Sequence, residues 1–455
     1  MAKGQVTDIL EERKEFIQCK SNAGGLGLKC EKDSVAGSVS QRACVYCGAR
    51  VVLNPITDAY HIVHGPIGCA SYTWDIRGSL TSGPEVYRNS FSTDLREQDV
   101  IFGGEKKLAG AIGEIAERYS PKVIFVYSTC IVGVIGDDVE AVCKEAERKY
   151  GMRVIPVKSS GFAGNKSMGY KAACRALLNL METNSTTWPR QSEKLTGVNF
   201  LGDFNLAGEI WIISNYLKRI GIDIVAKITG DSRCEEIMKA PEASLNIVQC
   251  AGSMTYLAKE MEDIYKIPYI KVSFFGIEDT RLSLMNIAHA TGNKDAVEKA
   301  KELVFVEELK VKAKLEHYRK RLEGKRAAIY VGGGFKAISL IKQFAELGMT
   351  TVMVGTQTGR PEEYEVIRGM AVDGTVILDD SNPAELEKFI REKGADILVG
   401  GVKERPLAYK LGIAFCDHNH ERKHPLCGFE GALNFAKEVD LTINSPVWKL
   451  RRHHL

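Results

Sequence analysis

The run Val123-Ile124-Phe125-Val126-Tyr127-Ser128-Thr129-Cys130 decides the fold class. The candidate strand Lys122 to Tyr127 is apolar without alternation from Val123 on, as a strand covered on both faces requires. Residues 137–150 follow as a helix, with Asp137-Asp138 near its N-terminus, where acidic groups oppose the helix dipole favourably. Residues 153–157 form the next strand. Strand, helix and parallel strand in this order predict an α/β sheet with helices on both faces.

The same rhythm continues through the chain. Strands are expected at 198–201, 222–226, 245–250 and 268–272, with helices at 208–220 and 253–265. Residues 281–322 read as charged helices joining two domains. A third unit opens at Arg326-Ala327-Ala328-Ile329-Tyr330-Val331-Gly332-Gly333-Gly334, followed by helix 337–347, strands 351–354 and 375–378, helix 383–393 and strand 396–399. We therefore expect a charged, flexible arm over 1–40 and three doubly wound, Rossmann-like α/β domains over 41–195, 196–322 and 323–455. Ligands of such sheets bind beyond the carboxyl ends of the strands. Cys130, Cys250 and the triple glycine all stand at such ends, so the domains are expected to face a shared cleft.

Bulk properties narrow the function classes. The 455 residues are 44% hydrophobic and 26% charged, with a net charge of +3 and no long basic run, so nucleic acid is not an expected partner. No stretch offers 18 consecutive apolar residues, and the charged N-terminus lacks the apolar core of a signal peptide, so a cytoplasmic protein with no membrane partner is expected. In a reducing compartment the twelve cysteines read as ligands or buried thiols. Cys143, Cys174 and Cys234 fit buried thiols, while Cys19 and Cys30 have no assigned role.

Cys44, Cys69 and Cys130 carry the chemistry. Each lies where the backbone can present a soft thiolate, which suits iron–sulfur or zinc ligation. Four-fold ligation needs one more donor, which a second subunit could supply. The Cys44-x-x-Cys47 spacing also fits a zinc half-site or a redox pair, but no second such pair completes a zinc site. His61 and His64 read equally as metal ligands or as structural groups. The triple glycine with Lys336 is either an anion-binding loop or a tight strand-to-helix turn. The polar run 417–424, with His418, His420 and His424, is either a donor cluster or a solvated loop.

Together these motifs resemble component 1 of nitrogenase and its relatives. The resemblance rests on Ile62-Val63-His64-Gly65-Pro66-Ile67-Gly68-Cys69, Trp74-Asp75-Ile76-Arg77-Gly78, residues 99–108, Thr129-Cys130, Ile135-Gly136-Asp137-Asp138-Val139 and Ser273-Phe274-Phe275-Gly276. Within that family the blocks at 74–108 and 161–169 are more similar to the α-like scaffold subunits that mature the iron–molybdenum cofactor than to the catalytic α subunit. Lys166 and Tyr170 stand where the catalytic subunit carries a glutamine and a histidine.

The resemblance implies a role in nitrogen fixation. It makes Cys44, Cys69 and Cys130 ligands of a [4Fe-4S] cluster shared with a NifN-like β subunit in an α2β2 heterotetramer. It makes Cys250 the anchor of an iron–sulfur–carbide precursor, with Arg77, Lys166 and Lys336 complementing the charge of that precursor. Cys427, before Gly428-Phe429-Glu430-Gly431, replaces a histidine ligand and is a further candidate contact. The implied partners are NifB as donor, the Fe protein NifH, and apo-nitrogenase as recipient, with molybdenum and homocitrate bound transiently. On this reading the chain is a scaffold with no catalytic residue of its own. Its rivals are the catalytic α subunit of a nitrogenase-like reductase and a plain α/β binding module with structural cysteines.

Overall fold

The computed structural model describes residues 13–20, 43–74, 79–83, 85–182, 197–419 and 422–448. Arg77, Cys30 and His420 lie outside them. The chain forms two compact units. The first, here the cysteine unit, comprises Ala43–Val272 and Asn286–Lys299; the second, the C-terminal unit, comprises Ser273–Met285 and Ala300–Leu455 with residues 13–20.

The cysteine unit contains two four-stranded sheets, each parallel throughout. The first runs, edge to edge, Ser90–Ser92, Ala59–His64, Val123–Ser128, Arg153–Lys158. The second runs Asp223–Thr229, Gly197–Asp203, Leu245–Val248, Tyr269–Lys271. The helix expected after the first buried strand is Val139–Tyr150. Asp138 caps it by accepting from the Ala141 amide at 3.0 Å, and Gly151 ends it at φ 67°.

The expected boundary near residue 195 does not separate two cores. Phe125 and Tyr127 of the first sheet share one hydrophobic cluster with Leu201 and Val248 of the second. Helix Lys166–Glu182 makes the join. It packs on helix Val45–Leu53, strand Arg153–Lys158 and helix Ala251–Tyr265, and buries Leu177, Leu178, Leu180 and Met181.

The C-terminal unit carries a six-stranded sheet in the order Ile17–Cys19, Val376–Asp379, Thr350–Thr356, Arg326–Val331, Ile397–Gly400, Ala414–Asp417. All pairs are parallel except the edge strand Ile17–Cys19. Residues 13–20 therefore depart from the flexible arm expected of them. Phe16 is buried, which contributes about 2 kcal/mol, and Arg13 bonds Glu385 at 2.9 Å.

Each sheet has one point where the strand order reverses, the place where doubly wound folds bind ligands. In the first sheet it falls between Ala59–His64 and Val123–Ser128, and in the second between Gly197–Asp203 and Leu245–Val248. In the C-terminal unit it falls between Arg326–Val331 and Ile397–Gly400. The strands at these three points lead into Cys69 and Cys130, into Cys250, and into Gly332-Gly333-Gly334.

Candidate metal centre

Three helix starts bring the three thiols together. Cys44 is the N-cap of Val45–Leu53, Cys69 lies in the first turn of Ile67–Trp74, and Cys130 opens Cys130–Ile135. Gly161 touches two of the three. Its amide donates to Cys130 Sγ at 3.1 Å, and a Cβ there would lie 2.9 Å from that sulfur, 3.2 Å from Cys44 Cβ and 3.7 Å from Cys44 Sγ. Burial pushes the Cys69 thiol up, and the nearby Cys130 and Cys44 push it further.

Among the described residues no three His, Cys, Asp or Glu groups stand close enough to hold a single metal ion. Thiolates of an iron–sulfur cluster bind different irons and so need not converge on one ion. Cys130 is exposed, as are Ile67 and Val134 near the thiols in sequence and Phe162 next to Gly161. Cys47 is a free, buried thiol.

Polar and close-packed contacts fix the loops. His64 Nε2 donates to Asp137 Oδ2 at 3.1 Å, and its Nδ1 lies 3.0 Å from Thr93 Oγ1. Asp137 also accepts from the Gly104 amide. Burial holds His64 below its ordinary value despite Asp137, so the ring is a neutral strut. Thr129 Oγ1 donates to His64 O at 3.0 Å, tying the residue before Cys130 to the strand before Cys69. His61 is likewise buried, with Nδ1 2.9 Å from Tyr127 Oη. Both histidines are thus structural.

Helices Val45–Leu53 and Lys166–Glu182 meet backbone to backbone. A Cβ on Gly48 would stand 2.1 Å from Lys166 O, and one on Gly169 2.0 Å from Val45 O. That contact sets Cys44 against Asn165, which it pairs with as a β-bridge, and so sets Lys166 beside the thiols. Lys166 Nζ lies 5.9 Å from the Tyr170 ring centroid. One turn further, Cys174 Sγ contacts Ser253 O at 3.5 Å. One helix therefore runs from the three-thiol site to the helix that Cys250 caps. Neither it nor the glycine contact was read from the sequence, although Gly48 and Gly169 sit four and three residues after Cys44 and Lys166.

Cys250 is the N-cap of Ala251–Tyr265 and half-buried. Gly202, at φ 91°, presses on it from the neighbouring strand, where a Cβ would come within 2.8 Å of both Cys250 N and Cβ.

In the C-terminal unit the triple glycine leads from strand Arg326–Val331 into helix Gly334–Glu346, capped by Gly333. A Cβ at Gly332 or Gly333 would meet nothing within 4 Å, so backbone amides there are approachable, whereas Gly334 packs against Glu363. Lys336 Nζ donates to His418 O at 2.9 Å and stands 5.5 Å from the Phe275 ring centroid. His418 is fully buried, its ring against Phe275 and Phe435, and burial holds it neutral. Cys427 caps helix Gly428–Ile443, bridges Phe275, and is 0% exposed. Glu404, at the carboxyl end of Ile397–Gly400, accepts from the Gly401 amide at 2.8 Å; burial pushes its carboxyl up to about 7.

Parallel sheets with soft donors at their switch points define an α/β protein whose thiols are placed for metal ligation. The family model of nitrogenase component 1 type oxidoreductases matches residues 44–444, and the chain belongs to that family. It is 71% identical over 444 residues, covering 97% of this chain and 96% of the relative, to the nitrogenase iron-molybdenum cofactor biosynthesis protein NifE of Clostridium pasteurianum. It is 53% identical over 457 residues, covering 99% of each chain, to the protein of the same name from Methanosarcina barkeri. Among solved structures it is similar to nitrogenase Cp1, with a TM-score of 0.88, 29% identity, and coverage of 97% of this chain and 96% of that one. No helix among the described residues is long and apolar enough to cross a membrane.

Proposed function

We propose that this chain is the α-like subunit of a cytoplasmic scaffold on which the iron–molybdenum cofactor of nitrogenase matures. The observation that carries the reading is the approach of Cys44 and Cys130 to one another at Gly161, with Cys69 close enough to feel both and Cys130 exposed. Three thiols at a surface need a fourth donor from outside the chain. A NifN-like β subunit in an α2β2 heterotetramer would supply it. The names of the relatives support the assembly role.

When bound, the [4Fe-4S] cluster supplies one-electron chemistry. The chain's own residues do the rest. Cys44, Cys69 and Cys130 present thiolates at helix starts, and Gly161 leaves room while donating its amide to sulfur. Cys250, half-open at its switch point, ligates the iron–sulfur precursor delivered by NifB. Lys166 offers positive charge to that anionic cargo, and Lys336 with the approachable glycine amides offers an anion site within the C-terminal unit. Arg77 is assigned the same duty. Molybdenum and homocitrate enter with NifH docked, and the finished cofactor passes to apo-nitrogenase.

One observation favours a second reading, the catalytic α subunit of a nitrogenase-like reductase: the likeness to nitrogenase Cp1. That reading needs Cys427 as a terminal ligand, and Cys427 is fully buried.

Anaerobic purification with the partner, followed by iron and sulfide analysis and electron paramagnetic resonance, tests the metal centre. Signal lost in each of Cys44→Ala, Cys69→Ala and Cys130→Ala is expected. An unchanged signal in all three, or a wild-type complex free of iron and sulfide, would sink the reading and favour the plain binding module.

A further inference from the structure

Arg50 is a buried cation with nothing in the described chain to balance it. It lies on helix Val45–Leu53, six residues beyond Cys44 and so ~9 Å along the axis. It is 5% exposed. Its Nη2 donates to Ser90 Oγ, and its guanidinium carbon lies 5.5 Å from the Tyr127 ring centroid. Nε and Nη1 find no hydrogen-bond partner.

None of its titratable neighbours offers an anion. Burial, aided by Arg50 itself, holds His61 well below its ordinary value, so that ring is neutral. Burial pushes the Tyr127 phenol up, so it keeps its proton. No described carboxylate is paired with Arg50. A buried charge is costly unless paired and fully hydrogen-bonded, so the site is incomplete as the bare chain presents it.

The rings beside Arg50 lead toward two of the three thiols. Tyr127 stands three residues before Cys130. Tyr46, two residues after Cys44, meets the Tyr127 ring edge-on with centroids 5.9 Å apart. A thiolate-ligated iron–sulfur cluster is anionic, and charge near such a cluster sets its potential. We propose that Arg50 is the buried countercharge of the cluster held by Cys44, Cys69 and Cys130, and that it raises the reduction potential of that cluster. The sign follows from electrostatics. One-electron reduction adds negative charge, and a cation in a poorly screened interior stabilises the more negative state. Arg50 acts through its field, as a tuning residue.

This inference rests on the cluster reading above, so its test is arranged to separate the two. The complex with its partner is purified anaerobically as wild type, Arg50→Met and Arg50→Lys. Redox titration followed by electron paramagnetic resonance gives the midpoint potential, and thermal denaturation is recorded before and after iron is removed with a chelator. We expect Arg50→Met to shift the midpoint to more negative potential and Arg50→Lys to stay near wild type. We expect the iron-free Arg50→Met complex to melt above iron-free wild type, because an apolar side chain replaces an unbalanced charge. A merely structural arginine would lower stability in both forms. An unchanged midpoint in Arg50→Met, or an equal shift in Arg50→Lys, with the cluster signal intact, overturns the Arg50 proposal alone. Absence of any signal dependent on Cys44, Cys69 and Cys130 overturns both.

Discussion

Cys250 and Cys427 occupy the same local position in different surroundings. Each is the extended N-cap of a long helix, and each is followed closely by small residues. Yet Cys250 stands half-open at the end of a strand beside the reversal of its sheet, while Cys427 is sealed by a bridge to Phe275 and a 2.7 Å bond from the Gly428 amide to Phe274 O. Both thiols stand at helix starts, but Cys427 is fully buried whereas Cys250 is half-open. Local position therefore puts a thiol at each helix start, and exposure decides which of the two a ligand can reach.

The sharpest way to break this contrast is to remove Cys250. Cys250→Ala should lower retention of the iron–sulfur precursor by more than about tenfold, since even outer partners of metal ligands are worth about 10–100-fold. Iron content above that of the three-thiol cluster measures it; retention equal to wild type would refute the anchor role. Gly202→Val attacks the support of Cys250 instead. Its φ of 91° and the 2.8 Å approach to Cys250 predict a loss of about 3 kcal/mol, read as a lower denaturation midpoint, together with weakened retention.

Glu404 probes the C-terminal unit through pH. Its raised carboxyl means that the folded chain keeps a proton which the unfolded chain releases above its ordinary 4.5, so stability falls as pH rises from about 4.5 to about 7. Glu404→Gln should therefore be more stable than the parent at pH 8, by no more than about 3 kcal/mol, and equal to it near pH 4.5. Melting curves across that range check the sign. The smallest effect is expected from Cys427→Ala, which should cost about 1 kcal/mol from the lost buried sulfur and leave cargo retention unchanged. A loss of retention matching that of Cys250→Ala would erase the contrast and favour the resident-cofactor reading.

Strand Val123–Ser128 was legible because a strand buried on both faces leaves an unbroken apolar run, and helix Val139–Tyr150 because Asp138 and Gly151 mark its ends. Cys44, Cys69 and Cys130 stood out because free thiols at strand and helix junctions are unusual. What joins them was hidden. Gly161 and the Gly48–Gly169 contact act by lacking a side chain, which leaves no mark in hydrophobic periodicity. The edge strand Ile17–Cys19 was missed because three residues carry no period, and the buried state of Arg50 and Glu404 depends on neighbours far along the chain.

The central claim is that cargo bound at Cys250 is meant to leave. The direct test is to load the complex anaerobically, mix it with cofactor-free nitrogenase, and measure substrate reduction before and after separating the two proteins. The account predicts activity appearing in the nitrogenase fraction with wild-type complex and absent with Cys250→Ala. Cofactor that stays on this complex, with the complex itself reducing substrate, would contradict it.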